Sequence, residues 1–294
     1  MRGSGRHVRR ALGAVGLLAV LAGSGRFGSI ARGPDPTPAR WHYAANGNLA
    51  ADGSYEPGQL GFNLADVSSK SQLDALPGGV RGLVYLDLCG PVDATFETRI
   101  APFAGDPRIY GFYLMDDPDP NSCSPASLAA ESDYIHTYVP GAITFILEQN
   151  LSSSRTPTFV GGYNPANTGI DLFGIDPYPC RSELDGCDYS MVARYVSAAV
   201  SAGIPRSNIV PVFQAFGGGG WSDDGDGSYL LPTAEQAARL LNTWARQVPS
   251  PAFDFVYSWG SQRGDDALSA AMPDLQQVFA AHNKPGPLLS RNLR

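Results

Sequence analysis

The chain has almost no lysine. Of its 21 basic residues only Lys70 and Lys284 are lysines, and the arginines form no stripe in the body of the chain. With 28 acidic residues the formal net charge is -7. A protein that tracks a phosphate backbone needs a concentrated basic face, so the balance argues against a nucleic-acid partner. Several motifs are missing too. No GxSxG occurs and no Ser/His/Asp order stands out, so a serine hydrolase is not expected. The glycines at 217 to 220 are not followed by Gly-Lys-Ser/Thr, so they are no phosphate-binding loop. The four cysteines contain no CxxC and their spacing is irregular, which argues against a zinc site. No motif calls for a cofactor or a metal.

What the first residues carry is a leader. Arg2, Arg6, Arg9 and Arg10 precede an apolar stretch from Ala11 to Ala22, and a Pro-rich segment, Gly33 to Pro38, follows. This is the layout of a secretory signal peptide, with cleavage expected between Ala22 and Ala31. The apolar stretch is too short for a comfortable membrane span, so no stable membrane insertion is expected after cleavage. Arg9-Arg10 also suits a twin-arginine signal, but the residues after it fit poorly. The expected division is a signal peptide at 1–31, a disordered leader at 32–40, one folded domain at 41–285 and a disordered tail at 286–294. An even cysteine count behind an export signal favours disulfides in a secreted protein. Cys180 and Cys187 flank a short Asp/Glu/Gly loop and are expected partners. Cys89 and Cys123 follow neighbouring strands and would bridge adjacent loops.

The mature chain alternates short apolar runs with helical patterns. Strands are expected at Trp41–Tyr43, Leu60–Leu64, Gly82–Leu88, Ile109–Met115, Ala142–Leu147, Ile170–Ile175, Ile209–Phe213 and Phe253–Tyr257. Ser124-Pro125 opens a helix. Val192, Tyr195, Val196, Ala199 and Val200 repeat at helical spacing before Gly203 and Pro205. Thr233 and Gln236 form a capping box ahead of Ala237, Leu240, Leu241 and Trp244. A last helix carries Leu275, Val278 and Phe279. Eight strands, most followed by a helix, imply a parallel α/β sheet closed as a (β/α)8 TIM-type barrel. Residues 44 to 60 show no helix, so the first unit should be irregular.

Chemistry in such a fold belongs at the C-terminal ends of the strands. The stretch Ile109 to Pro120, IYGFYLMDDPDP, sends a buried strand into two carboxylates and then stops it with proline. Alternation places Asp116 and Asp117 on opposite sides, one facing the mouth and the other packed under a loop. The candidate catalytic residues are Asp117, Asp116, Glu148 and Asp176. The candidate substrate-binding residues are Asn63, Asp87, Tyr113, Tyr178, Gln214, Trp259 and Trp221. Carboxylates and amides exchange hydrogen bonds with hydroxyls, and aromatic faces cover pyranose rings, so the expected partner is a carbohydrate. Asp117 beside Asp116, behind an apolar run, suits a general acid, because two close carboxylates resist double ionisation. The segment Ser222 to Ser228 resembles half a calcium loop but lacks the spacing and final Glu of an EF-hand, so it is read as a solvated loop. The glycine run before it reads as a flexible connection over the rim that carries Trp221. His42 and His136 are isolated; His136 is expected to be structural, and His42 is placed near the mouth.

Asp116-Asp117-Pro118 resembles the Asn-Glu-Pro motif that ends the fourth strand in the large clan of retaining barrel glycoside hydrolases. Asp176-Pro177-Tyr178-Pro179 and Trp259 are similar to that clan as well. The resemblance implies a barrel glycosidase with Asp117 in the acid/base position. It departs at the seventh strand, where the clan's nucleophilic Glu is replaced by Gln214, and an amide cannot serve as that nucleophile. Three readings stay open. The first is an inverting enzyme with Glu148, Asp176 or Asp87 activating water across the mouth. The second is a substrate-assisted enzyme, with Gln214 or Tyr178 holding an acetamido group. Chitinase-like barrels are similar in this, although their DxxDxDxE run is absent. The third is a barrel that binds glycan without cleaving it.

Overall fold

The apolar runs form the wall of a closed barrel in the computed structural model, which describes residues 39–184, 186–221 and 227–284. The strands are β1 (His42–Ala44), β2 (Leu64–Val67), β3 (Arg81–Tyr85), β4 (Ile109–Met115), β5 (Ile143–Leu147), β6 (Leu172–Ile175), β7 (Ile209–Gln214) and β8 (Asp254–Tyr257). Each pairs in parallel with its neighbours in sequence, and β1 pairs with β8 to close the ring. The fold is the expected (β/α)8 barrel. The signal peptide, nearly all of the Pro-rich leader, the calcium-like residues 222–226 and the tail lie outside the described residues.

Strand parity divides the core in two. Tyr43, Leu64, Leu83, Phe145, Leu172, Val212 and Phe255 point inward and fill the barrel. Their alternating neighbours, among them Ala44, Ala65, Val84, Ile146, Phe173 and Val256, point outward under the helices. The interior is rich in rings: Tyr113 lies 4.7 Å from Phe145, and Tyr43 stands edge-on to Phe255 at 4.7 Å. Such pairs add roughly 0.5–1.5 kcal/mol beyond the area they bury. Gly111 in β4 is required by space, since a Cβ there would stand 2.4 Å from the carbonyl oxygen of Ile143 on β5.

The helices follow their sequence signals. Pro125–Tyr138 is capped by Ser124, whose side chain accepts from Ser127 N. Ala234–Gln247 carries the Thr233/Gln236 capping box and buries Ala237, Leu240, Leu241 and Trp244. Ser190–Ser201 packs Val192, Tyr195, Val196 and Ala199 inward. The last helix, Pro273–His282, buries Leu275 and Phe279. Between β1 and β2 the described chain forms an isolated bridge, Leu49 to Tyr55, and a 3-10 turn, Pro57–Leu60, in place of an α-helix, so the first unit is irregular as expected. Both disulfides form with the expected pairing, Cys89–Cys123 and Cys180–Cys187. No helix among the described residues is long and apolar enough to cross a membrane.

Candidate active site

At the C-terminal end of the barrel a cavity of about 440 Å³ is lined by Asp116, Asp117, Asp176, Tyr178, Trp221 and Tyr257, with Gln149, Asn150, Arg181, Tyr195 and Tyr229 around its edge. A smaller cavity of about 150 Å³, lined by Tyr43, Asn46, Asp66, Tyr85 and Tyr113, shares Asp116, Trp221 and Tyr257 with it. Together they make a cleft of two lobes with Asp116 at the junction.

Asp116 and Asp117 both line the larger lobe, which differs from the alternation expected of a regular strand. The pairing of β4 with β5 slips between Tyr113 and Met115, and Asp117 then takes a left-handed backbone conformation with φ 46°. Either change breaks the two-residue period, and Asp is among the residues that tolerate positive φ. The loop beyond is held firmly. Asp119 O accepts from Ser122 N and Cys123 N at 2.9 and 2.8 Å, Cys123 is bridged to Cys89, and Tyr163 donates to Cys123 O at 2.7 Å.

The electrostatics are those of crowded acids. The Asp116 and Asp117 side chains are exposed at the cleft surface, and the dense protein beneath them disfavours their charged forms. Burial, and then the charge of Asp116, pushes the Asp117 carboxyl up to about 7. Burial also raises Asp116, while the hydrogen bond from Tyr113 opposes the rise. Asp176 is driven well above the usual carboxylate range by burial and by Asp117 and Asp116. Asp66 rises to about 6, chiefly through burial, against hydrogen bonds from Asn46 N and Tyr43. Arg181 is the one cation among the described lining residues; its Nε donates to Tyr178 O at 2.8 Å.

Of the residues singled out from sequence, Asp116, Asp117, Asp176, Tyr113, Tyr178 and Trp221 converge here. Others stand elsewhere. Asp87 sits on the rim beside Tyr85, exposed, and adds to the repulsion on Asp116. Glu148 follows inward-facing Leu147 and therefore points outward; it is 1% exposed and accepts from Tyr163 N behind the wall. Asn63 precedes β2 instead of ending it, because the strand begins at Leu64. Its amide is at the opposite end of the barrel, accepting from His42 N at 2.8 Å and donating to Arg40 O at 3.0 Å. His42 is at that same end, not at the mouth. Gln214 is sealed in the backbone: its Oε1 accepts from Cys180 N, and its Nε2 donates to Cys180 O and Leu230 O at 2.9 and 3.0 Å. Trp259 is buried against Phe62 in the outer core, since the chain leaves the sheet after Tyr257.

Asp66, Tyr43, Tyr85 and Tyr257 were not singled out from sequence, although one signal identifies them. Each is an even number of residues from an inward-facing Leu64, Leu83 or Phe255 or, for Tyr43, is itself inward-facing.

No protein-family model and no curated protein matches the sequence. Solved structures do match in shape. A GH18 chitinase of Flavobacterium johnsoniae superposes with a TM-score of 0.53 at 7% identity, covering 84% of this chain and 94% of its own. A chitinase of Bacteroides thetaiotaomicron gives 0.51 at 11% identity, covering 84% and 97%. A plant class V chitinase mutant of Cycas revoluta, in complex with (GlcNAc)3, gives 0.50 at 11% identity, covering 77% and 94%. At such identities the likeness shows the fold alone, a (β/α)8 barrel. This chain's cleft gathers four aspartates, Asp66, Asp116, Asp117 and Asp176, ringed by tyrosines.

Proposed function

We propose that the protein is an exported glycoside hydrolase that cleaves N-acetylated amino-sugar polymers by a substrate-assisted route, with Asp117 as general acid. The observation that carries this reading is the place of Asp117, exposed on the wall of an aromatic cleft beside Asp116, where the surrounding protein and Asp116 push its carboxyl up to about 7. A general acid must hold its proton near the working pH and release it to the leaving oxygen. Asp117 meets that demand at neutral pH.

The inverting route is less well supported. It needs an ionised carboxylate across the mouth to activate water. Glu148 is buried behind Leu147 and accepts from Tyr163 N, and burial with two neighbouring aspartates disfavours the charged form of Asp176. Substrate assistance needs no protein nucleophile: the carbonyl oxygen of a 2-acetamido group attacks the anomeric carbon as Asp117 protonates the departing oxygen. Asp116, held by the Tyr113 hydroxyl, stands where a carboxylate oxygen can accept the acetamido N–H, and Tyr178 lines the same lobe. Gln214 plays no part in this chemistry, so the absence of a Glu there does not argue for an inert barrel. The aromatic walls formed by Trp221, Tyr257 and Tyr178 suit stacking on sugar rings. The two disulfides fit an oxidising, extracytoplasmic compartment.

The test is hydrolysis of soluble N-acetylglucosamine oligomers followed by NMR of the first product. Retention of anomeric configuration supports the substrate-assisted reading. Inversion would move the role of base to Asp66, and tight binding without cleavage would make the protein a glycan-binding barrel.

A further inference from the structure

At the end of the barrel away from the cleft, three side chains from distant parts of the chain meet. His42 opens β1, Asp254 opens β8, and His282 closes the last helix. His42 Nδ1 lies 2.8 Å from Asp254 Oδ1, and His282 Nε2 lies 2.7 Å from Asp254 Oδ2. One nitrogen from each imidazole and a carboxylate oxygen all fall within 4.8 Å of one another. His42 and Asp254 are 4% and 2% exposed, and His282 is half-buried.

A buried carboxylate requires a cation. Among the described residues no lysine or arginine pairs with Asp254; its partners are the two imidazoles. An imidazole supplies charge to this carboxylate only when it is protonated. A divalent ion would supply it, and two imidazole nitrogens with one carboxylate oxygen are a donor set that suits zinc. We propose that His42, Asp254 and His282 form a binding site for a divalent transition metal of the zinc type, one that fastens the first strand to the last helix.

The geometry needs little adjustment. Ligand atoms of one tetrahedral zinc lie roughly 3.3 Å apart, given bonds of about 2.0–2.1 Å. His42 and His282 face different oxygens of Asp254, so one ion would draw both nitrogens toward the carboxylate while each 2.7–2.8 Å pair opens by about half an ångström; His282, the last residue of its helix, can provide that movement. A side cavity of about 120 Å³ touches both Asp254 and His282, so a water can reach the fourth coordination position. The residues at this end of a barrel serve stability and not turnover, so the metal's role is to hold the β1–β8 seam.

The experiment uses the full mature protein after dialysis against EDTA. Zinc is added in a calorimetric titration, cobalt(II) is added separately for its visible spectrum, and Tm is read with and without metal. The expected result is one equivalent of zinc per chain, a tetrahedral cobalt spectrum and a raised Tm. Asp254→Asn and His282→Gln should each weaken binding at least ~10-fold. His282→Gln, at the half-buried position, is the variant expected to stay folded, and its circular dichroism is the control. Absence of binding by the folded wild-type protein, or binding that survives both substitutions, would overturn the site.

Discussion

The phenol of Tyr113 donates to Asp116 Oδ1 at 2.6 Å from within the barrel's own core, where the tyrosine is 4% exposed. A packed ring thus holds a carboxylate at the junction of the two lobes. The bond lowers the proton affinity of Asp116, and Asp116 in turn raises that of Asp117. The acid's proton therefore depends on a residue with no direct role in the chemistry. Tyr113→Phe removes a charge-assisted hydrogen bond of about 1.5–3 kcal/mol. The expected outcome is a fall in kcat/KM of roughly 10- to 100-fold, with the acid limb of the pH–rate profile moved upward as Asp116 takes up its proton sooner. Steady-state kinetics across pH, with circular dichroism as the folding control, checks this.

The raised carboxyls also tie stability to pH. Asp117 and Asp66 bind their protons more tightly in the folded chain than in the unfolded one, with folded values of about 7 and about 6. Between about pH 4 and pH 7 the folded state therefore carries more protons. Their contribution to stability is present at low pH and is lost as pH rises through that window. Tm should be higher at pH 5.5 than at ~pH 8, and Asp117→Asn should shrink the difference. A thermal melt series showing an unchanged or larger difference in the variant would contradict the assignment.

Much of this site was legible in the sequence because the fold was. Short apolar runs located seven of the eight strands and met the other only at Leu64, and the rim followed from knowing that chemistry gathers at their C-terminal ends. Where the reading departed from the structure, the cause was local geometry. The slip in β4 and the left-handed turn at Asp117 put two adjacent aspartates on one wall. The strand at Leu64–Val67 starts four residues later than its LGFNL run suggested, which exchanged Asn63 for Asp66 as the residue in the cleft. Trp259 and Gln214 stand where a rim was expected, but backbone contacts made after the strands end turn them into core. Those contacts join segments far apart in sequence, so no local pattern announces them.

Gln214 offers a direct check on that correction. Glu in its place loses the donor to Cys180 O and Leu230 O and sets a carboxylate against carbonyl oxygens. Gln214→Glu should cost about 2–4 kcal/mol of stability and should add no activity. A variant that melts at the wild-type temperature and hydrolyses faster would show that the position does face substrate.

The two tryptophans should separate cleanly. Trp221 lines both lobes of the cleft, whereas Trp259 is 1% exposed in the outer core. Trp221→Ala is expected to weaken oligosaccharide binding by about 1–3 kcal/mol, the scale of one lost pocket contact, with Tm little changed. Trp259→Ala should instead cost about 3–5 kcal/mol of stability. Paired calorimetric binding and chemical denaturation would distinguish them.

The disulfides should differ in weight. Cys89–Cys123 spans 34 residues and Cys180–Cys187 spans 7. Loop-closure entropy gives about 4 and about 2.5 kcal/mol for them. Replacing the first pair by serine should lower stability more, and it should also release the loop that fixes Asp117. Replacing the second should act mainly on KM, through Tyr178 and Arg181 beside it.

The central claim is that Asp117 delivers the proton to the leaving oxygen. The most direct measurement compares wild-type protein with Asp117→Asn on two N-acetylglucosamine oligomer substrates, one with a sugar leaving group and one with an activated phenol. The variant should lose at least ~100-fold in kcat on the sugar leaving group, much less on the phenol that needs no proton, and bind both as before. Equal turnover of the natural linkage by the folded variant would contradict the assignment of Asp117.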